Sequence, residues 1–170
     1  MDPEPRGFHA TLTGPLMLRV LRIENLAIVA SAEIEFGPGL NLLTGETGAG
    51  KSIVVDALGL VCGERADGDL VRTGEDKGTI EAIFDVPKGF DFQALGLGID
   101  EPEGEVAIRR EILASGRSRA MINGVTVSLA GLKSVGQELV LRRGGSERAA
   151  RGSAFKRGCY LVFFARLQVR

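Results

Sequence analysis

Several short segments of the chain alternate apolar and polar residues, and this period of two predicts β-strands. The alternating segments are residues 18–36, 79–86, 105–113 and 118–123. The first is long enough for two strands, which we expect to meet at a bend at Glu24 and Asn25. The second is followed by Pro87, which cannot donate to a strand ladder and therefore ends the strand. The pattern predicts a sheet that contains antiparallel hairpins.

Turn-forming residues separate these segments. Gly-Pro-Gly at 37–39 predicts a tight turn, and Ser-Gly-Arg at 115–117 predicts another. Asn123-Gly124 stands between two apolar residues and favours a type I′ hairpin turn, because both residues tolerate positive φ. The stretch 88–104 is rich in Gly and acidic residues, so it is predicted to be a loop with one helical turn.

Two segments have helical length. Residues 51–62 contain Gly59 as their one breaker and predict a helix that ends near Gly63. Residues 128–140 begin with Ser128 as a predicted cap and repeat apolar residues at helical spacing. The apolar face predicted for this second helix consists of Leu129, Leu132, Val135, Leu139 and Val140.

A glycine-rich loop precedes the first predicted helix. The apolar segment 40–44 predicts a buried strand that leads straight into this loop. Glycines let consecutive backbone N–H groups surround phosphate oxygens, and a helix amino terminus adds free amides and the positive end of its dipole. The predicted phosphate-binding residues are Gly45, Glu46, Thr47, Gly48, Ala49, Gly50, Lys51 and Ser52. The spacing of glycines, Lys51 and Ser52 is that of a phosphate-binding P-loop.

The residue types in this loop suggest separate roles. Lys51 is expected to reach the β and γ phosphates, and the Ser52 hydroxyl to ligate Mg²⁺. The alternative is a glycine-rich turn that binds nothing, which the flanking strand and helix disfavour. Hydrolysis also needs an acid on the metal, and Asp85 is the one candidate at the end of an apolar strand. Its strand is short and includes Glu81, so an ordinary strand end is preferred. We therefore predict no catalytic residue in this chain.

The composition is that of an ordinary globular protein, with 44% hydrophobic and 25% charged residues in a chain of 170. This length suits one domain with a core but is short for a complete motor ATPase. The apolar runs at 53–62 and 159–165 are shorter than the roughly 18 residues that a bilayer requires, so no membrane contact is expected. The chain has no secretory signal pattern, and Cys62 and Cys159 form no C-x-x-C motif. A cytoplasmic protein with reduced thiols is expected.

The two ends differ from the rest of the chain. Residues 1–16 contain three Pro and two Gly without periodicity and predict a disordered leader, so Met17 is a candidate natural start. Residues 142–170 hold seven Arg, one Lys and one acid, for a net charge of +7. Since the whole chain carries −1, the remainder carries −8. A basic tail of this kind can bind nucleic acid through its phosphates.

Three blocks resemble the N-terminal head segment of the RecN family, bacterial DNA double-strand-break repair proteins related to the SMC family. These blocks are residues 17–66, 69–86 and 108–140. The glycine loop alone indicates only a P-loop NTPase. The sequences "LRIENLAIV" near the start and "GRSRAMINGVTVSL" near the end make the resemblance specific.

The resemblance implies an α/β fold: the N-terminal lobe of a P-loop NTPase of ABC/SMC head type, with a mixed sheet, antiparallel hairpins and a phosphate-loop helix. The lobe is expected at residues 17–140. The family's signature motif, metal-binding acid and catalytic carboxylate belong to a C-terminal head segment. Two heads sandwich ATP and Mg²⁺, which implies a homodimer, DNA ends as a partner and a cytoplasmic, nucleoid-associated location. Hydrolysis is therefore expected to need the C-terminal segment.

The resemblance also suggests roles for arginines outside the loop. Arg65, followed by Ala66, is expected to lie toward the nucleotide base or ribose. Arg117 and Arg119, in the "GRSR" turn, are either surface charges or contacts to DNA or a partner.

From residue 141 the sequence departs from the family pattern. The family continues into a loop with Gln and His and then a coiled coil, whereas the single His of this chain is His9 and the tail has no heptads. Enrichment in Arg, Gly, Ala and Ser at 141–170 favours a change of reading frame or a cloning artefact in a GC-rich coding sequence. The alternative is a natural basic tail that touches DNA phosphates. In that alternative "CYLVFFARL" is expected to be an exposed apolar stretch that favours association.

Two other function classes compete with the RecN-like ATPase. A self-contained small-molecule kinase or GTPase needs a base-reading motif and a lid, and the matched region contains neither N-K-x-D nor an Arg-rich lid. A nucleic-acid-binding module would act through the basic tail, with the glycine loop as a relic.

Overall fold

The computed structural model describes residues 17–38, 41, 48–87, 90–93, 95–99 and 104–141. The side chains of residues 48–51, 140 and 141 fall outside this description. Three predicted segments also lie outside the described residues. They are the leader, the strand at 40–44 apart from Asn41, and the tail beyond Leu141.

The described residues form one six-stranded sheet and two helices. The strands are β1 (Met17–Leu26), β2 (Val29–Glu35), β3 (Lys77–Asp85), β4 (Glu105–Leu113), β5 (Ser118–Ile122) and β6 (Val125–Val127). The helices are α1 (Gly48–Val61) and α2 (Leu129–Leu141), with a short 3-10 helix at Gly68–Leu70. The strand order is β2-β1-β3-β4-β5-β6, and every described pair is antiparallel. The predicted strands and helices that fall within the described residues are confirmed, with ends shifted by a few residues.

The first hairpin turns later than predicted. β1 continues through Glu24 and Asn25 to Leu26, which pairs with Val29, so the turn lies at Ala27 and Ile28. Asn25 takes a φ of 50° inside the strand, a left-handed conformation that Asn tolerates. The predicted bend at Glu24 and Asn25 is therefore wrong.

The reason for the longer strand is a contact with a distant segment. The Ala27 amide donates to the Leu70 carbonyl at 2.7 Å, and the Arg72 amide donates to the Asn25 carbonyl at 3.0 Å. The segment after α1 thus supplies partners to the backbone around the hairpin tip. Polar residues at Glu24 and Asn25 could not reveal this long-range pairing.

The turns predicted at 115–117 and at Asn123-Gly124 are confirmed, whereas the turn predicted at 37–39 includes Gly39, which lies outside the described residues. The Gly116 amide donates to the Leu113 carbonyl at 2.8 Å, and Gly116 has a φ of +83° that favours glycine. Asn123 and Gly124 have φ of 48° and 80°, as a type I′ turn requires. The Asn123 side-chain oxygen also accepts from the Ala107 amide at 2.9 Å, which ties this turn to β4.

The core lies between the inner face of the sheet and the helices. Strand register aligns one row of inner residues, Leu21, Ala82, Ile108 and Ile122, and a second row, Ile23, Ile80, Arg110 and Ala120. Ala57 and Val61 of α1, and Leu132 and Val135 of α2, are fully buried against this face. Each buried Leu or Ile side chain contributes about 1.5–3 kcal/mol, so the two helices are held mainly by this shared apolar surface.

The loop between β3 and β4 contributes more to the core than its composition indicates. Phe90 and Phe92 are buried and meet edge to face, with ring centroids 5.2 Å apart. The Leu95 amide donates to the Phe92 carbonyl at 3.1 Å, which forms a turn among the described residues of this loop. The two aromatic residues in an otherwise polar stretch were the available signal that it packs inward.

α2 begins as predicted. The Ser128 hydroxyl oxygen accepts from the Gly131 amide at 3.0 Å and caps the helix. Leu132, Val135 and Leu139 face the core, but Leu129 is 39% exposed, so its place on the buried face was predicted wrongly. The side chain of Val140 lies outside the described residues.

Candidate nucleotide site

The amino end of α1 lies inside the glycine motif. The helix begins at Gly48, earlier than the predicted start at Lys51. The first four N–H groups of an α-helix have no intrahelical partner, so Gly48 to Lys51 present backbone donors at the positive end of the helix dipole. The first turn contains no acidic residue that would repel an anion. This end of α1 therefore suits phosphate oxygens.

The predicted loop residues fall partly outside the described region. Gly45, Glu46 and Thr47 lie outside it, and only the backbone of Gly48, Ala49, Gly50 and Lys51 is described. Ser52 is an exposed residue of the first turns of α1. The phosphate contact of Lys51 and the Mg²⁺ contact of Ser52 stay predictions.

A reciprocal pair of hydrogen bonds joins Gly37 and Asn41, two described residues that precede the glycine motif in sequence. The Gly37 amide donates to the Asn41 side-chain oxygen at 2.9 Å, and the Asn41 side-chain nitrogen donates to the Gly37 carbonyl at 2.9 Å. Asn41 is buried, so its amide group needs these partners. The two bonds tie Asn41, which precedes the glycine motif in sequence, to Gly37 just after β2. Sequence analysis did not single out Asn41.

The carboxyl end of α1 contacts a buried arginine that sequence analysis missed. Arg110 of β4 is 1% exposed, and its guanidinium donates to the carbonyls of Leu60 at 2.8 Å and Glu64 at 2.6 Å. It also donates to the Ser118 hydroxyl at 3.1 Å. Burial lowers the pKa of Arg110 from its usual value. In the alternating pattern of β4, Arg110 occupies the same set of every-second positions as Val106, Ile108 and Ile112, and this was a signal that it points inward.

Arg65 lies beyond the carboxyl end of α1. The helix has 14 residues, which corresponds to a length of about 20 Å. The Glu64 amide donates to the Gly59 carbonyl, which keeps this segment at the end of α1 opposite to Gly48. Arg65 is exposed, and the described structure does not bring it to the amino end of the helix. Its role toward a base or ribose stays a prediction.

Asp85 faces away from α1. Alternation along β3 places Ile80, Ala82 and Phe84 inward, so Asp85 lies on the outer face of the sheet. Its carboxylate forms an ion pair with Arg19 at 3.6 Å. This geometry agrees with an ordinary strand end.

The "GRSR" arginines differ from each other. Arg119 donates to Glu111 at 2.7 Å on the outer face of the sheet, so its charge has an internal partner. The side chain of Glu111 also meets Lys77 at 3.3 Å and Arg109 at 3.5 Å. The hydrogen bond from Arg119 is the main cause that lowers the pKa of the Glu111 carboxyl. The Arg117 side chain is exposed and makes no ion pair within the described part of the chain. A contact of Arg117 to DNA or a partner stays a prediction.

Among the described residues, neither α1 nor α2 has the length and apolar character that a membrane span requires. No group of three or more His, Cys, Asp or Glu side chains in the same residues is arranged to hold a metal ion.

Solved structures identify the fold. The SMC head domain of Pyrococcus furiosus, solved with an extended coiled coil and bound to the C-terminal domain of ScpA, matches with a TM-score of 0.59 and 22% identity. The match covers 74% of this chain and 34% of that one. A second solved structure comes from work on the ATP-driven dimerization and DNA-stimulated activation of SMC ATPases. It matches with a TM-score of 0.55 and 22% identity, over 72% of this chain and 78% of that one. The fold is that of an N-terminal P-loop lobe of the ABC/SMC head class, as predicted.

Sequence relatives identify the family. A family model described as "AAA domain" matches residues 21–138. The DNA repair protein RecN of Halalkalibacterium halodurans is 44% identical over 126 residues, and that of Vibrio cholerae is 46% identical over 125. The chain belongs to the AAA domain family and is an N-terminal RecN/SMC-like head segment. Each match covers 73% of this chain, which spans 22% and 23% of the length of these two curated relatives.

Proposed function

We propose that this chain binds ATP with Mg²⁺ through Gly45 to Ser52 and acts as the N-terminal part of a RecN-like DNA repair ATPase. The observation that carries the proposal is the start of α1 inside the glycine motif, where the first amides have no partner within the helix and the first turn has no acidic residue. In this proposal Lys51 contacts the terminal phosphates and Ser52 ligates Mg²⁺. The bound Mg²⁺ would neutralise phosphate charge.

Hydrolysis in this proposal requires a second segment. Asp85, the one candidate metal acid, lies on the sheet face opposite to α1 and pairs with Arg19. The relatives named DNA repair protein RecN are more than four times as long as the matched region, which leaves room for a C-terminal head segment with the acid and the signature motif. The description of one SMC structure refers to ATP-driven dimerization and DNA-stimulated activation. We therefore include paired heads, DNA as a partner and a nucleoid location in the cytoplasm in the proposal.

Nucleotide binding is tested first. Isothermal titration of the full 170-residue chain with ATP and Mg²⁺ should give saturable binding, and Lys51→Ala should weaken it at least about tenfold, because a charge-assisted phosphate contact is lost. Lys77→Ala is the matched control, since Lys77 pairs with Glu111 on the outer face, and it should leave the affinity unchanged. Unaltered affinity in Lys51→Ala would sink the proposed site.

Hydrolysis is tested separately by phosphate release. The chain alone should show no turnover above a Lys51→Ala background, and adding a C-terminal head segment from a RecN relative should restore it. Robust turnover by the chain alone, abolished in Lys51→Ala, would show that the catalytic groups are present in this chain.

The alternative of a nucleic-acid-binding module rests on the net charge of +7 at residues 142–170. A chain that ends at Leu141 should lose salt-sensitive DNA binding if the tail carries it. Unchanged binding after this deletion would place the DNA contacts elsewhere and exclude the module.

A further inference from the structure

Arg110 is a cation in the middle of an apolar surface. Its neighbours across the strands are Ile80 and Ala120, and its side chain points to the same sheet face as Ile108 and Ile112. It is 1% exposed. Because an uncompensated buried charge is strongly unfavourable, the position requires specific partners.

Those partners are at one end of α1. The guanidinium Nη1 donates to the carbonyls of Leu60 and Glu64, at 2.8 and 2.6 Å. Arg110 forms no ion pair with a carboxylate among the described residues, so the compensating charge is the negative end of the helix dipole. The last turn of α1 contains no basic residue of its own. Arg110 supplies, from the sheet, the cation that commonly stands at a helix carboxyl end.

α2 crosses the same end of α1 so closely that the backbones of the two segments are in contact. A Cβ added to Gly136 would lie 2.6 Å from the Cys62 Cα, and one added to Gly63 would lie 2.7 Å from the Lys133 Cα. Real Cβ atoms do not approach so closely, so the two backbones meet where only hydrogen atoms separate them. The carboxyl end of α1 is therefore held from two sides, by Arg110 of the sheet and by α2.

We propose that Arg110 is a positioning residue for the nucleotide site. Arg110 fixes the carboxyl end of α1, and thereby the axial position of the helix whose amino end contains Gly48 to Lys51. An α-helix transmits such a displacement along its length, because each residue is bonded to the one a turn away. Hydrogen bonds weaken beyond about 3.2 Å, so a small shift of α1 misplaces the phosphate donors. The inference rests on the proposed binding of ATP at this end.

The test compares two neighbouring arginines. Arg110→Met removes the guanidinium that contacts α1, whereas Arg109→Met removes an outward-facing one from the same strand. ATP affinity is measured by titration well below the melting temperature of each variant, which circular dichroism establishes. We expect Kd to rise about tenfold in Arg110→Met, as for the loss of charge-assisted hydrogen bonds, and to stay within about twofold in Arg109→Met.

Arg110→Lys keeps the charge but loses the forked geometry that reaches two carbonyls. We expect an intermediate Kd, about threefold above that of the unmodified chain. All affinities are measured on folded protein below the melting temperature, so a loss of folding stability alone would not change Kd. An intermediate Kd in Arg110→Lys would therefore indicate that Arg110 positions the site. If Arg110→Met does not fold, Arg110→Lys decides the question, since an unchanged affinity in a folded Arg110→Lys chain would overturn the inference.

Hydrogen exchange gives a readout that does not depend on nucleotide. Amides 52–61 of α1 should exchange faster in Arg110→Met and at the original rate in Arg109→Met. If Lys51→Ala abolishes ATP binding but Arg110→Met leaves the affinity unchanged, the inference about Arg110 is overturned and the proposed function stands. Absence of ATP binding by the unmodified chain would overturn the proposed function, and unchanged exchange would then independently refute the anchoring of α1.

Discussion

Arg109 and Arg110 are adjacent in β4, but they lie on opposite faces of the sheet and use their charges differently. Arg109 belongs to an outer network that also contains Glu111, Lys77 and Arg119, and its side chain is 43% exposed. Arg110 is enclosed by the core and bonds to helix carbonyls. The same residue type therefore has a solvent-screened role on one face and a structural role on the other.

The outer face is a ladder of opposite charges across strands. Arg22 lies between Glu33 and Glu81, at 2.6 and 3.0 Å, and Arg109 is the next residue in that row. Such exposed pairs contribute roughly 0–1 kcal/mol each and are weakened by salt. Among the described residues, the fully buried cation of the inner face is Arg110, whose partners are backbone carbonyls and a hydroxyl. The difference between the faces predicts a graded set of mutational effects.

Charge reversal at the two arginines should give the largest contrast. Arg110→Glu places a carboxylate against the Leu60 and Glu64 carbonyls and leaves it buried without a partner, so we expect a loss of about 4 kcal/mol or more in the free energy of unfolding. Arg109→Glu adds repulsion from Glu81 and Glu111 on a partly solvated face and should lose about 1 kcal/mol. Urea denaturation followed by circular dichroism measures both. Equal losses would contradict the distinction between the faces.

The sequence was sufficient for much of this architecture. Alternation located the strands, the pair Asn123-Gly124 determined a turn, and Ser128 was a recognisable helix cap. These features depend on residues close together along the chain, where propensity and spacing are informative. The family could also be predicted, because its sequence blocks surround the glycine motif.

The features that the sequence missed depend on distant partners. The hairpin tip at Ala27 is set by Leu70, and the role of Arg110 depends on α1, whose Leu60 lies fifty positions earlier. The alternation along β4 alone places the Arg110 side chain on the inner face, but it does not show that this side chain contacts the carboxyl end of α1. At the candidate site, the helix amino end was predictable, whereas the fixing of its other end was not.

The crossing of α1 and α2 should give an effect of intermediate size. Gly136→Ala would bring a methyl group within 2.5 Å of the Cys62 carbonyl oxygen, and this backbone cannot move without shifting α1. We expect a loss of about 1–3 kcal/mol from overpacking, although alanine favours a helix by about 1 kcal/mol over glycine.

Gly131→Ala is the matched control in the same helix. There the added methyl group meets the flexible end of the Leu97 side chain, so the stability should change by less than about 1 kcal/mol. Thermal and urea denaturation compare the two variants. A Gly136→Ala chain as stable as Gly131→Ala would show that the two helices are free to separate.

The smallest effect is expected on the outer face at Glu111. Its hydrogen bond from Arg119 holds the carboxyl pKa below the usual value, with burial opposing and Lys77 assisting. Glu111→Gln should therefore cost about 0.5–1 kcal/mol at neutral pH. Because the folded pKa is depressed, this contribution is complete above the unfolded carboxyl pKa of about 4.3 and is lost as pH falls through the folded value.

Denaturation of the original and Glu111→Gln chains between pH 2 and 8 checks this dependence. The difference between them should be constant above about pH 5, shrink toward zero in acid, and shrink also at neutral pH in about 1 M salt. The effect of Arg110→Met should hardly respond to salt, because the arginine is buried and its partners are uncharged carbonyls. A Glu111 effect that persists in acid and high salt would mean that packing, not charge, stabilises the outer face, and the contrast with Arg110 would disappear.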